Sequence, residues 1–256
     1  MIVKGVALLN CRAVNPLYLF YNGVKMKVMI FIDNSNFFKS ISCFKEDRCQ
    51  DRVIDYNRLN KFVIEYLSNN PQYKKESLFH VRTYYYDGEY TDTLINKIKN
   101  HLNKISPSLE NDEEKHKVVT ILQKAFHRME AQKRDMNKMK SFYFFETRLK
   151  PLQYSSSQGV FQKGVDVQLA VDLVSNAYLN NYDIAVIFSG DIDLFESVKL
   201  VKTLGKQVFI FSHKNLMADG MISICDFYKD LCRLEDARLD EFTHIFEKRE
   251  LKGGFK

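Results

Sequence analysis

Two apolar segments, each followed closely by aspartate, restrict the folds open to this chain more than any other feature. Residues 27–32 read KVMIFI and run into Asp33, and residues 185–188 read AVIF and lead through a Ser-Gly pair to Asp191 and Asp193. A short apolar run bounded by turn residues is typical of a buried strand. Ligands gather outside the carboxyl ends of parallel strands, and carboxylates buried there are costly unless a cation or a proton compensates them. We therefore expect two buried strands that carry acids to one edge of a sheet.

The rest of the chain alternates between strand and helix patterns, which predicts an α/β fold with a mainly parallel central sheet. Asp55 is a candidate N-cap, and Gly205 is a candidate C-cap in the left-handed region. The predicted strands are 27–33, 78–86, 141–149, 183–188 and 206–211, and the predicted helices are 34–44, 56–68, 93–102, 111–140, 164–179 and 192–204.

A chain of 256 residues fits one domain with appendages. We predict a main domain over 26–234, interrupted by a helical insertion at about 92–140. Residues 1–25 are either an N-terminal extension or precede a natural start at Met26. Residues 235–256 are highly charged and have apolar residues at helical spacing, which predicts a C-terminal amphipathic helix packed on the domain or on a partner.

The net charge of +6 slightly favours an anionic partner, but many proteins of this charge bind no nucleic acid. The insertion ends in Lys133, Arg134, Lys138 and Lys140. Two explanations stay open for these cations: complementarity to the helix dipole on a solvated face, or a surface that faces nucleic acid. The insertion and the C-terminal helix are also candidate contacts for a homo-oligomer.

Five cysteines without a Cys-x-x-Cys pair indicate neither a disulfide framework nor a zinc site. This usage is typical of a reducing compartment and predicts a cytoplasmic location. No segment reaches the roughly 18 apolar residues that a membrane span needs, so no membrane association is predicted.

The chemistry is expected to reside in four aspartates, Asp33, Asp166, Asp191 and Asp193. Three of them follow predicted strands, and Asp166 begins a helix, so a parallel sheet would bring them to one edge. Oxygen ligands without nearby His or Cys favour Mg²⁺ or Mn²⁺ over zinc. Such clusters hydrolyse phosphodiesters through metal-bound hydroxide. Taken singly, an acid has a structural alternative: Asp33 and Asp193 could each cap the helix that follows.

The order of three motifs resembles the NYN domains of the LabA-like group, which belong to the PIN-like, FLAP-nuclease-like metal-dependent ribonucleases. The motifs are IDNSN at 32–36, KGVD at 163–166 and SGDID at 189–193, and the resemblance covers about 26–231. It implies a PIN-like, Rossmann-like three-layer sandwich and an RNA substrate. It also implies that Asp33, Asp166, Asp191 and Asp193 are the catalytic, metal-binding acids, and that Asn36, Ser189 and Lys163 support the site or contact substrate.

Other polar residues are open to two interpretations. Asp172 lies six residues after Asp166, too far around a helix to face the same metal, so a structural or supporting role is at least as consistent. Asp87 could join the site or start a turn, and Asp226 could orient the site or cap a helix. His213 follows a strand and is interpreted as a plain loop histidine. The tyrosines at 84–86 are expected to alternate across the two faces of the sheet.

Three functions compete. The first is a Mg²⁺- or Mn²⁺-dependent ribonuclease. The second is a non-catalytic RNA-binding or assembly module, which the complete set of acids disfavours. The third is another phosphoryl-transfer enzyme. The Asp-x-Asp of a haloacid-dehalogenase phosphatase is missing after the first strand, no Glu ends an earlier strand as in a Toprim site, and no P-loop is present.

Overall fold

The computed structural model describes residues 25–42, 52–74, 76–106 and 112–245, and its centre is a six-stranded parallel sheet. The strand order is β4-β3-β1-β7-β8-β9, and every pairing between neighbours is parallel. The strands are β1 (Lys25–Asp33), β3 (Ser77–Glu89), β4 (Phe145–Pro151), β7 (Ile184–Phe188), β8 (Gln207–Ser212) and β9 (Phe227–Asp230), with β2 (Arg52–Ile54), β5 (Gln153–Ser155), β6 (Gly159–Phe161) and β10 (Thr243–Ile245) in two small antiparallel pairs.

Helices cover both faces of this sheet. The helices are α1 (Asn34–Ser42), α2 (Tyr56–Ser68), α3 (Asp92–Ile105), α4 (Asp112–Met139), α5 (Val165–Tyr178), α6 (Phe195–Thr203), α7 (Asp219–Ile224) and α8 (Asp236–Asp240). The apolar sides of α1 and α2 pack on one face of the sheet, and those of α5, α6 and α7 pack on the other. The predicted α/β three-layer sandwich is confirmed.

The two central strands are buried on both faces, which explains their unbroken apolar sequences. All five residues of β7 are fully buried, as is nearly every residue of β1 from Val28 onward. In β3 the tyrosines alternate as expected, because Tyr85 packs with the α1 and α2 side while Tyr84 and Tyr86 pack with the α5 side.

The strand order reverses between β1 and β7. From β1 the chain moves outward to β3 and β4 on one side, and it later continues through β7, β8 and β9 on the other. A crevice opens at such a switch point, outside the carboxyl ends of the two strands. The first acid, Asp33, ends β1, and the Ser-Gly-Asp motif follows β7, so both reach this crevice.

Two helices and a short hairpin occupy the predicted insertion and its surroundings. Helices α3 and α4 share a small core with the β5–β6 hairpin. Gln132 of α4 fastens them to the end of β3, since its amide nitrogen donates to the Gly88 carbonyl at 2.7 Å and its amide oxygen accepts from the Tyr90 N–H at 2.9 Å. The helix pair is therefore held beside the carboxyl edge of the sheet.

The predicted C-terminal helix from residue 235 is wrong for the part of it that the structure describes. Helix α8 is only five residues long, and the chain then forms β10, antiparallel to β2. The apolar spacing arose because Leu239 and Phe242 are buried in the main core, next to α2. The predicted boundary at 234 therefore separates no independent unit, and residues 246–256 lie outside the described residues.

The remaining sequence predictions vary in outcome. Asp55 caps α2 through the N–H groups of Asn57 and Arg58, and Gly205 has a φ of +77° at the end of α6, both as predicted. The short strands β2, β5, β6, β9 and β10 were missed. No described helix is long and apolar enough to cross a membrane. Cys225 and Cys232 are free thiols. Residues 1–24, which make up nearly all of the predicted N-terminal extension, lie outside the described residues. The same is true of Cys43 and Cys49.

Candidate functional site

Asp33 joins the ends of the two central strands. It is 2% exposed, and its Oδ1 accepts a hydrogen bond from the Asn36 N–H at 3.1 Å, which caps the start of α1. Its Oδ2 accepts from the Ser189 hydroxyl at 3.1 Å. The Asp33 side chain therefore both caps helix α1 and lies at the candidate site. One carboxylate oxygen starts a helix, and the other binds the loop after β7.

The Asp33 carboxyl is held in a form that resists ionisation. Burial raises its pKa from 3.8 to about 6, and the negative charge of Asp166 acts in the same direction. The hydrogen bonds from Asn36, Ser189 and Ser35 oppose these effects but do not overcome them. A positive charge supplied to this position would therefore stabilise the ionised form.

Ser189 and Asn36 support the acids. The Ser189 hydroxyl also accepts from the Asp191 N–H at 3.3 Å, and the side-chain oxygen of Asn36 accepts from the Gly190 N–H at 3.3 Å. Ser189 is fully buried, so in this structure it positions Asp33 and does not reach substrate. Asn36 is partly exposed and remains a candidate contact.

Gly190 allows the backbone after β7 to pass against the following loop. A Cβ at this position would lie 2.4 Å from the Leu216 carbonyl oxygen and 2.8 Å from the Met217 Cα, distances that no side chain tolerates. The Gly190 carbonyl also accepts from the Ala218 N–H at 3.1 Å. Glycine is required here because two backbone segments meet beside the acids.

Asp191 and Asp193 occupy a tight turn. The Asp191 Oδ1 accepts from the Asp193 N–H at 3.0 Å and caps a single 3-10 turn over Ile192–Leu194. Asp193 does not cap the following helix α6, which begins after Leu194 without a side-chain cap. Asp193 is exposed and Asp191 partly exposed, so both carboxylates can meet a ligand from solvent.

Asp166 brings the acids into one electrostatic group. It lies in the first turn of α5, after Gly164 at a φ of +79°. Burial raises its pKa, and the charges of Asp191 and Asp193 raise it further. Lys39 of α1 acts in the opposite direction, but more weakly than either acid. We call Asp33, Asp166, Asp191 and Asp193 the acid cluster, in which repulsion exceeds the compensation that Lys39 provides.

A groove of about 670 Å³ opens beside the acid cluster. Asp166 and Asp193 line it together with Lys163, so the structure places this predicted contact next to two of the acids. Its wall along α5 is apolar, and Val167 and Val171 there are 67% and 57% exposed. The groove therefore combines negative charge, one flexible cation and an uncovered apolar surface.

The donor chemistry of the acid cluster fits a divalent cation. Carboxylate oxygens are the preferred ligands of Mg²⁺ and Mn²⁺, and their mutual repulsion is the energy that such an ion would relieve. In the described part of the chain, no three His, Cys, Asp or Glu side chains form a ready-made metal site. The cluster thus has the ligand type and the charge that suit a divalent metal ion.

The other acids considered from sequence lie outside the acid cluster. Asp172 accepts from the Tyr86 hydroxyl at 3.0 Å, and Arg148 approaches it at 3.6 Å, which is a structural role. Asp226 accepts from the Val208 N–H at the amino edge of the sheet, so it does not orient the site. His213 is buried and caps a 3-10 turn through the Asn215 N–H.

Asp87 supports the site from a neighbouring strand without joining the cluster. It accepts from the Asn34 side-chain amide at 2.8 Å, and Asn34 directly follows Asp33. It also accepts from the Tyr85 hydroxyl at 3.1 Å, while the hydroxyl of Tyr56 donates to Asn34. Sequence reasoning missed Tyr56 and Lys39, because nothing in their local sequence marks them and only the packing of α1 and α2 on the sheet brings them here.

These features define a class of protein: a three-layer α/β domain whose aspartates gather at the switch point of a parallel sheet. Residues 27–232 match the NYN domain family. The chain belongs to this family, which is part of the PIN-like superfamily of nuclease-type domains. The resemblance deduced from the three motifs is thereby confirmed at the level of the NYN family, and its LabA-like subgroup stays a prediction.

A solved structure also resembles this one. It is the crystal structure of a protein of unknown function from Vibrio parahaemolyticus, with 18% sequence identity and a TM-score of 0.45 over 86% of this chain and 97% of that chain. No curated protein matches the chain.

Proposed function

We propose that this protein is a Mg²⁺- or Mn²⁺-dependent nuclease that hydrolyses phosphodiester bonds in RNA. The observation that carries the proposal is the uncompensated charge of the acid cluster. Burial and the charges of Asp191 and Asp193 raise the pKa of Asp166 more than Lys39 lowers it. Natural proteins retain such unfavourable groupings where a function needs them. Membership of the NYN family supports the nuclease chemistry and the choice of RNA.

The four carboxylates would hold the cation from three different elements, because Asp191 and Asp193 share one turn. Asp33 is fixed by Ser189 and the start of α1, Asp191 by its 3-10 turn, and Asp166 by the first turn of α5. A bound divalent ion would activate water as a nucleophile and neutralise charge on the reacting phosphate. Because the supports belong to separate elements of a rigid sheet, the acids can be positioned with little motion.

The groove beside the acid cluster is suited to a nucleic-acid strand. Lys163 lies where it can meet a backbone phosphate close to Asp166. The exposed Val167 and Val171 offer an apolar surface to a ribose or a base, a contact that tolerates any sequence. We propose that the strand runs along α5, with Asn36 and Lys163 as substrate contacts.

The direct test incubates purified protein with labelled single-stranded and structured RNA in Mn²⁺, Mg²⁺ or EDTA. We expect cleavage with either ion, none in EDTA, and none by an Asp191→Asn variant. Asp112→Asn is the matched control, because Asp112 lies on the insertion with its side chain 89% exposed and pairs with Lys115 of the same helix. Cleavage that survives both EDTA and Asp191→Asn would overturn the proposal.

Binding of RNA without cleavage in any metal would favour the alternative of a non-catalytic RNA-binding module. The same purified protein distinguishes these outcomes in a mobility-shift assay run in parallel. The cytoplasmic location and the homo-oligomer through the insertion stay predictions of the sequence.

A further inference from the structure

A second pocket lies on the insertion, away from the acid cluster. It has a volume of about 270 Å³ and is formed between α4 and the β5–β6 hairpin. Three cations, Lys117, Lys124 and Arg128, line it together with polar and apolar groups, and none of its described lining residues is acidic. We call this feature the insertion pocket.

The three cations form one straight row. They are spaced by seven and four residues along α4, and eleven residues of helix return to within about 20° of the starting direction. The row spans about 16 Å at 1.5 Å per residue. This length exceeds a single phosphate group, so the row is better matched to several phosphates of an extended chain.

The protein leaves these charges available. Lys117 and Lys124 make no hydrogen bond or ion pair within the described residues, and Arg128 donates to the neutral Tyr90 hydroxyl at 3.1 Å. Two of the three acids in the first turn of the same helix interact with other residues. Asp112 pairs with Lys115, and Glu114 lies 3.6 Å from His101. All three cations are exposed, and the β5–β6 hairpin bounds the pocket on one side of them.

The insertion pocket lies close to the groove of the acid cluster along the chain. Val160 of β6 lines the pocket, and Gln162 and Lys163 line the groove, so the two features are at most about 10 Å of extended chain apart. Gln132 holds α4 to the end of β3 beside Asp87. Both features therefore lie within the reach of one RNA strand.

We propose that the insertion pocket binds backbone phosphates of the RNA strand whose neighbouring segment occupies the groove of the acid cluster. This inference rests on the proposed function for the identity of the strand. The contact is electrostatic and independent of base sequence, and its role is to anchor substrates long enough to span both features.

The test measures RNA binding in EDTA, where no cleavage occurs, by fluorescence anisotropy of a labelled single strand of about 20 nucleotides. The variant Lys117→Gln/Lys124→Gln/Arg128→Gln removes the row. The matched control Lys133→Gln/Arg134→Gln/Lys138→Gln removes the same charge from other faces of the same helix. Circular dichroism and thermal melting verify that both variants are folded.

We expect the pocket variant to bind about 10- to 100-fold more weakly at low salt, and the slope of log K against log salt to fall by about 2, since each phosphate contact of a single strand contributes about 0.7. The control variant should stay within about threefold of the unmodified protein. Equal weakening by both variants, or none by the pocket variant, would overturn the inference.

Two further measurements distinguish an RNA strand from a small anion as the ligand of the pocket, and distinguish this inference from the proposed function. A strand of about four nucleotides should bind both variants alike, and inorganic phosphate should compete only weakly. Strong competition by phosphate would indicate that the pocket binds a small anion and not an RNA strand. Loss of RNA binding in the pocket variant of a protein that never cleaves would refute the proposed catalysis alone. Normal cleavage and binding by the pocket variant would refute this inference alone.

Discussion

Both edges of the parallel sheet carry aspartates, and the two edges differ in how neighbouring groups compensate the negative charges. At the amino edge, Asp183 accepts from the Lys27 N–H at 2.7 Å and lies 3.9 Å from the Lys206 ammonium. Asp226 accepts from the Val208 N–H at 2.7 Å and pairs with Lys202 at 2.9 Å. Each carboxylate there has a backbone donor and a lysine.

The carboxyl edge has the same residue type without that balance. Asp33 is almost completely buried, and its pKa is raised by burial and by Asp166. Asp166 in turn is opposed more strongly by two acids than it is helped by Lys39. The aspartates at the amino edge stabilise the fold, whereas those at the carboxyl edge are held there at a cost in stability. The following experiments test that difference.

The largest expected effect is on cleavage. Asp166→Asn should lower the rate about 100-fold or more, beyond the 10- to 100-fold typical of residues that only support a metal ligand. Asp226→Asn, at the opposite edge, should stay within about threefold at a temperature where it is folded. The measurement is a single-turnover rate with saturating Mn²⁺. Similar losses in both variants would erase the distinction between the edges.

A bound metal ion should stabilise the protein by binding to the acid cluster at the carboxyl edge and not to the aspartates at the amino edge. Mn²⁺ at 100 times its dissociation constant should add about 2.7 kcal/mol to the free energy of unfolding, seen as a rise of several degrees in Tm. Asp166→Asn should abolish this rise, while Asp226→Asn should retain it. A full rise in Asp166→Asn would place the ion somewhere else.

Ser189→Ala tests the support of Asp33. Because its hydroxyl donates to Asp33 and accepts from the Asp191 N–H, its loss should reduce the cleavage rate about 10- to 100-fold. Ser141→Ala is the matched control, since its exposed hydroxyl donates to the Lys138 carbonyl at 2.7 Å and does not line the groove. Higher Mn²⁺ should partly rescue Ser189→Ala, and unchanged activity of that variant would contradict the positioning role.

Stability should change in opposite directions at the two edges. The folded-state pKa of Asp33 is about 6 and its ordinary value is 3.8, so its favourable contribution is complete below about pH 4 and is lost as the pH rises through 6. Asp33→Asn should therefore increase the free energy of unfolding at pH 7 by about 1–2 kcal/mol. Asp226→Asn should decrease it by about 1 kcal/mol, as expected on weakening the hydrogen bond from the Val208 N–H and the ion pair with Lys202.

Urea denaturation of both variants at pH 4 and pH 7 checks this prediction. The gain in Asp33→Asn should shrink toward pH 4, where the carboxyl of the unmodified protein is already protonated. A gain of equal size at both pH values would show that burial and repulsion of the ionised form are not its cause.

Much of the central fold was predictable because the signals are local. The apolar runs of β1 and β7, the N-cap Asp55 and the left-handed Gly205 each depend on a few consecutive residues. The strands β2 and β10 escaped because three residues carry no reliable pattern, and their pairing joins positions about 190 residues apart. The same distance explains the C-terminal error, since Leu239 and Phe242 have helical spacing but reach the core from α8 and the turn after it.

In the candidate site, too, some features were predictable from the local sequence and others were not. The four acids were predictable because three of them follow strands and a parallel sheet aligns strand ends. Whether Ser189 supports the acids or contacts substrate was not, since its partner Asp33 is 156 residues away. Nor was the row of Lys117, Lys124 and Arg128 distinguishable from the cations at 133–140 until the hairpin closed against one face of α4.

The sequence by itself determined which segments are buried strands and that acids stand at their carboxyl ends, because hydrophobic burial and turn formation act over a few residues. Tertiary structure alone decided which aspartates are neutralised. Asp226 meets Lys202 because α6 packs beside the start of β8, whereas Asp166 meets Asp191 and Asp193 where β1 and β7 diverge. Charge compensation depends on distances across the fold, and those distances are set by how the layers pack.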